Sequence, residues 1–324
     1  MTVSVTDRII GCLQGIATGD AIGKQTETLS HAKVGHWYPS GVRGFEHAPG
    51  SVIPRYQGNT KHEWRVGETT DDTERTLAVA RAIVQDEGVS RIRVAEELLG
   101  CSKSVHPGVR SLWEFHEAAD PARIAVRHDG CGAAIRVSPV GMLHVSSRLE
   151  QIVADAREVA LPTHGGSLAI AAAAATAAAV SAAIDGACQA EIAEVAVLGA
   201  ELAEDQWSDP EGRSLATALS DLYEDLASWG NLSAATVASA YFPEDPLTIV
   251  PLAIVLGTIM GSAEGAILLA ANVGGDSDSV ASIAGAILGA RAPETINQEW
   301  CEVVEQVNHH DVTSVGRTLA RMRH

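Results

Sequence analysis

The sequence predicts an all-α fold of about a dozen helices. Three observations carry that prediction. Apolar residues recur at a period near 3.6 in most segments. Strand-like alternation is hard to find. Aromatics make up only 4% of the chain, so alanine and glycine supply much of the apolar content and let helices approach closely. The 324 residues suffice for one large core, and a single domain over 1–324 is expected.

The elements follow in order. Residues 24–68 carry Gly, Pro, His and aromatics with little periodicity, which reads as a long lid-like loop or a surface excursion with short helical turns. "TERTLAVARAIVQ" (73–85) places Leu77, Ala80 and Val84 on one face and Glu74, Arg81 and Gln85 on another. "SRLEQIVADAREVA", "CQAEIAEVAVLGAELAEDQ" and "GRSLATALSDLYEDLASW" obey the same rule. "SLAIAAAAATAAAVSAAI" (167–184) has about the length of a bilayer span. Alanine is weakly hydrophobic and no aromatic or basic anchors flank it, so a buried helix of a soluble protein is expected. "PETINQEWCEVVEQV" opens on Pro293, which a first turn tolerates, and lines up Ile296, Trp300, Val303 and Val307. No repeat of fixed period is present.

Charge and cysteine usage narrow the function. The formal net charge of −18 repels phosphate backbones and anionic lipid, so nucleic-acid and membrane-surface roles lose ground. Cys12, Cys101, Cys131, Cys188 and Cys301 are scattered and odd in number, which argues against a disulfide framework or a thiolate zinc site. "MTVSVTDRIIGCLQG" has no basic region followed by an apolar one, so no signal peptide and a cytoplasmic location are expected.

Acids gather at two places. Thr70, Asp71 and Asp72 precede the helix that begins near Thr73. Asp276, Ser277 and Asp278 precede the apolar run "SVASIAGAILGA", which opens on Ser279. One reading is helix capping, with Asp71 and Glu74 forming a capping box. The other is a site for hard divalent cations, because a cap needs one acceptor and each cluster offers several oxygens. Burying such carboxylates unpaired costs several kcal/mol.

"GCLQGIATGDAIGKQTE" (11–27), "GETTDDTERTLAVARAIV" (67–84), "GCGAAIRVSPVGMLH" (130–144), "LPTHGGSLAIAAAAA" (161–175) and "ANVGGDSDSVASIAGAILGA" (271–290) resemble the successive signature blocks of the ADP-ribosylglycohydrolase family. The resemblance spans residues 11–290. It implies a compact orthogonal multi-helix fold and two Mg²⁺ or Mn²⁺ ions in a cleft. It also implies hydrolysis of the bond between ribose C1 and an attached group, with ADP-ribosylated proteins among the substrates.

Carried over by position, the resemblance makes Thr70, Asp71, Asp72, Asp276, Asp278 and Ser279 metal ligands, with Asp278 as the bridge. Glu27 matches the acid that enters the family's site from the flexible loop. Glu27, Asp72 and Asp278 are thereby the candidate catalytic carboxylates. Gly130, Cys131 and Gly132 match the loop that wraps the diphosphate through backbone N–H groups, and His164 matches a residue against the ligand.

Two positions depart from the family pattern. Ser279 stands where relatives usually have Thr, which keeps the oxygen. Cys131 stands where they usually have Asn, and a thiol lacks the amide's donors and acceptor. A smaller riboside or a nucleoside is therefore the alternative substrate, and a non-catalytic binder is a third reading. Trp37, Tyr38, Trp64 and His106 are candidates to touch a base, or plain loop packing. His309 and His310 read as a solvated face.

Overall fold

A computed structural model describes residues 3–57, 60–103 and 128–324. The early elements are α1 (Val5–Gly23), α2 (His31–Trp37), a two-stranded hairpin of β1 (Val52–Gln57) and β2 (Thr60–Arg65), α3 (Asp71–Asp86) and α4 (Arg91–Leu99). The middle holds α5 (Ser138–Leu143), α6 (Leu149–Ala160), α7 (Ser167–Asp185), α8 (Gln189–Gln206), α9 (Leu215–Ser228) and α10 (Ala234–Ala240). The chain ends with α11 (Pro246–Ile259), α12 (Ala263–Val273), α13 (Ser277–Arg291), α14 (Gln298–Asn308) and α15 (Val312–Met322). The all-α expectation holds, with fifteen α-helices among the described residues.

The central pair is α1 against α13, antiparallel. Gly11, Gly15, Gly19 and Gly23 fall four residues apart on α1 and face Gly289, Gly285, Ala281 and Ser277 on α13. A methyl group at Gly15 would lie 1.9 Å from the Gly285 carbonyl oxygen, and one at Gly285 would lie 2.3 Å from that of Gly15. The helices therefore touch backbone to backbone, which larger residues forbid. Arg8 closes the far end by donating to the Ala290 and Arg291 carbonyls at 2.9 and 2.8 Å. These are orphan groups of the α13 C-terminus. The functional ends of both helices, Gly23 and Ser277, thus meet at one place.

The alanine tract is α7, and 94% of its most apolar window is buried inside the fold. It passes as a membrane span by length and composition only. Close neighbours explain its composition: a methyl group at Gly141 would lie 2.4 Å from the Ala177 carbonyl, and one at Gly199 3.0 Å from Ala178 Cβ. On α3 the predicted faces are observed, with Leu77 and Ala80 buried and Arg81 and Gln85 exposed.

Two expectations need correction. Residues 24–68 are not one irregular loop: they contain α2 and an antiparallel hairpin paired from Val52 with Arg65 to Gln57 with Thr60. The two strands, VIPRYQ and TKHEWR, are short and carry charge rather than clean alternation, which hid the pairing. The segment after Arg291 is not one helix from Pro293. A 3₁₀ turn spans Pro293–Thr295, and α14 starts after Asn297, whose side chain accepts from the Trp300 amide. Trp300 and Val304 are the buried positions of α14, while Val303 and Val307 are half-buried beside Gly67.

Candidate functional site

Asp20, in the last turn of α1, organises the first acidic cluster. It is fully buried, and its carboxylate accepts from the Thr70 amide at 2.9 Å, the Thr73 amide at 3.1 Å and the Thr73 hydroxyl at 2.5 Å. Burial outweighs these bonds and raises its pKa from 3.8 to about 6. Thr70 is the N-cap of α3, its hydroxyl accepting from the Asp72 amide at 3.2 Å. The expected capping box of Asp71 with Glu74 is absent, because Thr70 takes the cap. Glu74 turns away and accepts from the amides of Ser102 and Lys103, both at 2.9 Å. Asp71 pairs with Arg75 at 3.2 Å.

The turn is braced from behind by Lys103 and by His310, which reads as solvated in the sequence. His310 is half-buried, and its Nε2 lies 2.9 Å from the Thr69 hydroxyl. Burial lowers its pKa to about 4. Lys103 donates to the Thr69 carbonyl at 2.6 Å. Only His309 is exposed as expected.

The second cluster begins at Gly274 and Gly275, both with positive φ (88° and 71°). A methyl group on Gly274 would lie 2.4 Å from the Leu29 carbonyl oxygen, and one on Gly275 2.4 Å from that of Pro243. Glycine is therefore required twice over, by conformation and by space. Thr28 and Leu29 pair with Gly275 through backbone bonds of 2.7 and 2.8 Å, which ties this turn to the loop after α1. Ser277 donates back to the Gly23 carbonyl at 2.9 Å. Asp276 precedes α13 without capping it, so its carboxylate is left for other work.

The two clusters meet. Asp72 and Asp278 are buried, and each has its pKa held well above the ordinary carboxylate value, first by burial. The remaining push on Asp72 comes from the charges of Asp20, Asp71, Asp276 and Glu27. For Asp278 it comes from Glu27, Asp276 and Asp72, opposed by Lys24. Asp72 Oδ2 is buried with no hydrogen-bond partner. Lys24 is ion-paired with Glu27, and its pKa is raised by the acids around it although burial acts the other way.

Beside the acids lies the 3₁₀ turn Cys131–Arg136. Cys131 Sγ donates to Asp276 Oδ2 at 3.3 Å, and burial with the nearby acids raises its thiol pKa. Methyl groups at Gly130 and Gly132 would lie 3.0 Å from His128 Nε2 and 2.6 Å from His164 Cε1. The two glycines thus pack over imidazole rings whose centroids are 4.7 Å apart. Arg136, fully buried, holds the assembly: it donates to the Gly132 carbonyl at 2.9 Å, the Val159 carbonyl at 2.8 Å and the Thr163 hydroxyl at 2.7 Å. Thr163 Oγ1 in turn lies 2.6 Å from His164 Nδ1. Burial pulls the Arg136 pKa down to about 9, so the site-side cation is held by carbonyl dipoles rather than by a carboxylate.

Of the residues singled out in the sequence, Glu27, Asp72, Asp276, Asp278, Ser279 and Cys131 converge. Thr70 and Asp71 stand at the adjoining start of α3, and Gly130, Gly132 and His164 form one flank. Among the described residues no group of three or more His, Cys, Asp or Glu side chains is arranged to hold a metal ion as it stands. The donor chemistry nevertheless fits a hard cation: an orphaned buried carboxylate oxygen and mutually repelling aspartates both call for positive charge. Trp37 is exposed, Tyr38 is half-buried with its hydroxyl 3.5 Å from the Gln25 carbonyl, and Trp64 is a buried residue of β2. His106 lies outside the described residues. Asp20, Lys24 and Arg136 were missed. All three sit inside quoted motifs, but nothing local distinguishes a brace from a bystander.

The whole chain, residues 1–324, matches the ADP-ribosylglycohydrolase family. It belongs to that family. Among curated relatives it is 28% identical to the uncharacterized protein YegU of Escherichia coli, over 98% of both chains. It is 27% identical to an uncharacterized protein of Archaeoglobus fulgidus, over 91% of both. The ADP-ribosyl-[dinitrogen reductase] glycohydrolase of Rhodospirillum rubrum is 26% identical over 147 residues, 43% of this chain and 45% of that one. A solved structure described as an ADP-ribosylglycohydrolase-related protein complex superposes with a TM-score of 0.71 over 100% of both chains, at 21% identity.

Proposed function

We propose that this chain hydrolyses the C1 ribosyl bond of ADP-ribosylated substrates, small molecules or proteins, with two divalent cations, Mg²⁺ or Mn²⁺. The observation that carries the reading is the convergence of Asp72, Asp276, Asp278 and Glu27, with Asp72 Oδ2 buried and unpartnered. Thr70, Asp71, Asp72, Asp276, Asp278 and Ser279 would hold the cations. Bound there, the cations supply positive charge for ribose oxygens and lower the pKa of a water. Glu27, ion-paired with Lys24, would serve as the general base that takes a proton from the attacking water. His164 and the Gly130–Gly132 turn would line the rest of the substrate, which reacts through an oxocarbenium-like transition state.

A second reading, hydrolysis of a smaller riboside or nucleoside, has one observation in its favour. The Cys131 side chain is turned onto Asp276, so this turn offers a diphosphate no side-chain donor. Incubation with Mg²⁺ or Mn²⁺ and a panel of ADP-ribosylated protein, ADP-ribosyl small molecules and free nucleosides separates the two. No turnover of any riboside, with cation bound, would leave a non-catalytic binder.

Asp20 is the positioning residue of this reading. Asp20→Ala leaves the buried Thr70 and Thr73 donors without an acceptor, at roughly 1–3 kcal/mol for each orphaned group. Divalent-cation affinity is expected to fall about 10- to 100-fold, as for the loss of other groups that orient ligands. Calorimetry on folded Asp20→Ala checks this, and parental affinity would count against the assignment.

A further inference from the structure

The surroundings of Cys131 differ from those of the other cysteines. Cys12 is buried in the α1 core, Cys188 is exposed, Cys101 lies against the Glu74 and Glu97 carbonyls, and Cys301 packs against the core. Cys131 Sγ instead donates to Asp276 Oδ2 at 3.3 Å and is hydrogen-bonded with the Ser279 side chain. It also lies within the field of Asp72, whose Oδ2 is buried and unpartnered. One sulfur thus faces the same small volume as two carboxylates and a hydroxyl.

The backbone keeps the sulfur there. A methyl group at Gly132 would lie 2.6 Å from the His164 ring and one at Gly130 3.0 Å from that of His128, so the turn lies tight on that flank. Arg136 pins it further through the Gly132 carbonyl. The Cys131 backbone is thus fixed, and its contacts with Asp276 and Ser279 orient the sulfur.

Carboxylate and hydroxyl oxygens suit Mg²⁺ and Mn²⁺, whereas a thiolate adds affinity for softer ions such as Zn²⁺ and Cd²⁺. We propose that Cys131 is a donor to the divalent cation held by Asp72, Asp276 and Ser279, and that it gives the site a preference for thiophilic ions. The inference rests on the cation site of the preceding subsection. As the sulfur binds, its S–H bond breaks and the proton passes to solvent; nothing is oxidised or reduced.

The experiment uses full-length protein carrying Cys188→Ser, which removes the exposed thiol, freed of metal with a chelator. Cd²⁺ is titrated while the sulfur-to-cadmium charge-transfer absorbance is followed, and Mg²⁺ and Zn²⁺ affinities are measured by calorimetry. The expected result is a stoichiometric cadmium band. Adding Cys131→Ser should abolish it and lower the Zn²⁺-to-Mg²⁺ affinity ratio about 10- to 100-fold. Mg²⁺ binding should persist in Cys131→Ser and be lost in Asp276→Ala. An unchanged band or ratio in Cys131→Ser, with Mg²⁺ still bound, overturns the role of the sulfur and leaves the cation site standing. Absence of any divalent-cation binding to the parent overturns both.

Discussion

Asp278→Asn should lose ribosyl hydrolysis by roughly a thousandfold, the equivalent of about 4 kcal/mol of the several that bound cations can supply. In chelator at pH 8 the same protein should melt at a higher temperature than the parent. Both effects have one cause. Asp278 is buried among Glu27, Asp276 and Asp72, and Lys24 opposes their repulsion. An amide of the same shape removes the charge that destabilises the metal-free fold, and with it the charge that would bind the cation. Such a trade of stability against function is common at sites built from like charges.

The pH dependence follows from linkage. A carboxyl whose folded pKa lies above its unfolded value binds more protons in the native state between the two. Its contribution to stability therefore falls as pH rises through that window. For Asp20 the window runs from 3.8 to about 6, and for Asp72 and Asp278 it begins at 3.8 and extends well above. His310, lowered to about 4, acts in the opposite sense, gaining stability as pH rises from there to its ordinary 6.5. Comparing Asp278→Asn with the parent cancels that histidine. The difference in melting temperature should be small near pH 4 and widen as pH rises. It should shrink again on adding Mg²⁺, which stabilises the parent by mass action. Equal melting temperatures at pH 8, or hydrolysis at the parental rate, would refute the charge cluster as the core of the site.

Gly15→Ala should lower stability by about 3 kcal/mol, the upper part of the range for overpacking a tight interior. The melting temperature should fall by about 4–5 °C for a chain of this size. The added carbon would lie 1.9 Å from the Gly285 carbonyl oxygen, and the atom it meets is backbone, with no rotamer to yield. The helices must part along their length. Gly35→Ala is the control, because nothing lies within 4 Å of its added carbon. The same displacement should reach the site, since α1 carries Asp20 and α13 begins with Ser277 and Asp278. Thermal melts of both variants test the packing. A Gly15→Ala protein as stable as Gly35→Ala would show that the two helices can separate freely.

Much of this was readable from residue order. The helical period of α3 and the small-residue content of α7 led directly to their burial. The acids at 70–72 and 276–279 stood out because carboxylates are costly beside apolar runs. The hairpin at Val52–Arg65 escaped, since its strands are six residues each and carry charge rather than clean alternation. The capping box of Asp71 with Glu74 looked sound locally, yet Thr70 was one residue nearer the turn and Glu74 found amides at Ser102 and Lys103.

By itself the sequence determined the helical class, the family blocks and which oxygens could bind a cation, because each is written in short-range pattern and residue chemistry. Tertiary structure alone decided that Asp20 braces the first cluster, that Lys24 joins Glu27, that Arg136 holds the His164 flank, and that Cys131 turns onto Asp276. The physical reason is distance along the chain. Cys131 and Asp276 are 145 residues apart, and only close packing of α1 on α13 and the buried Arg136 anchor bring them together.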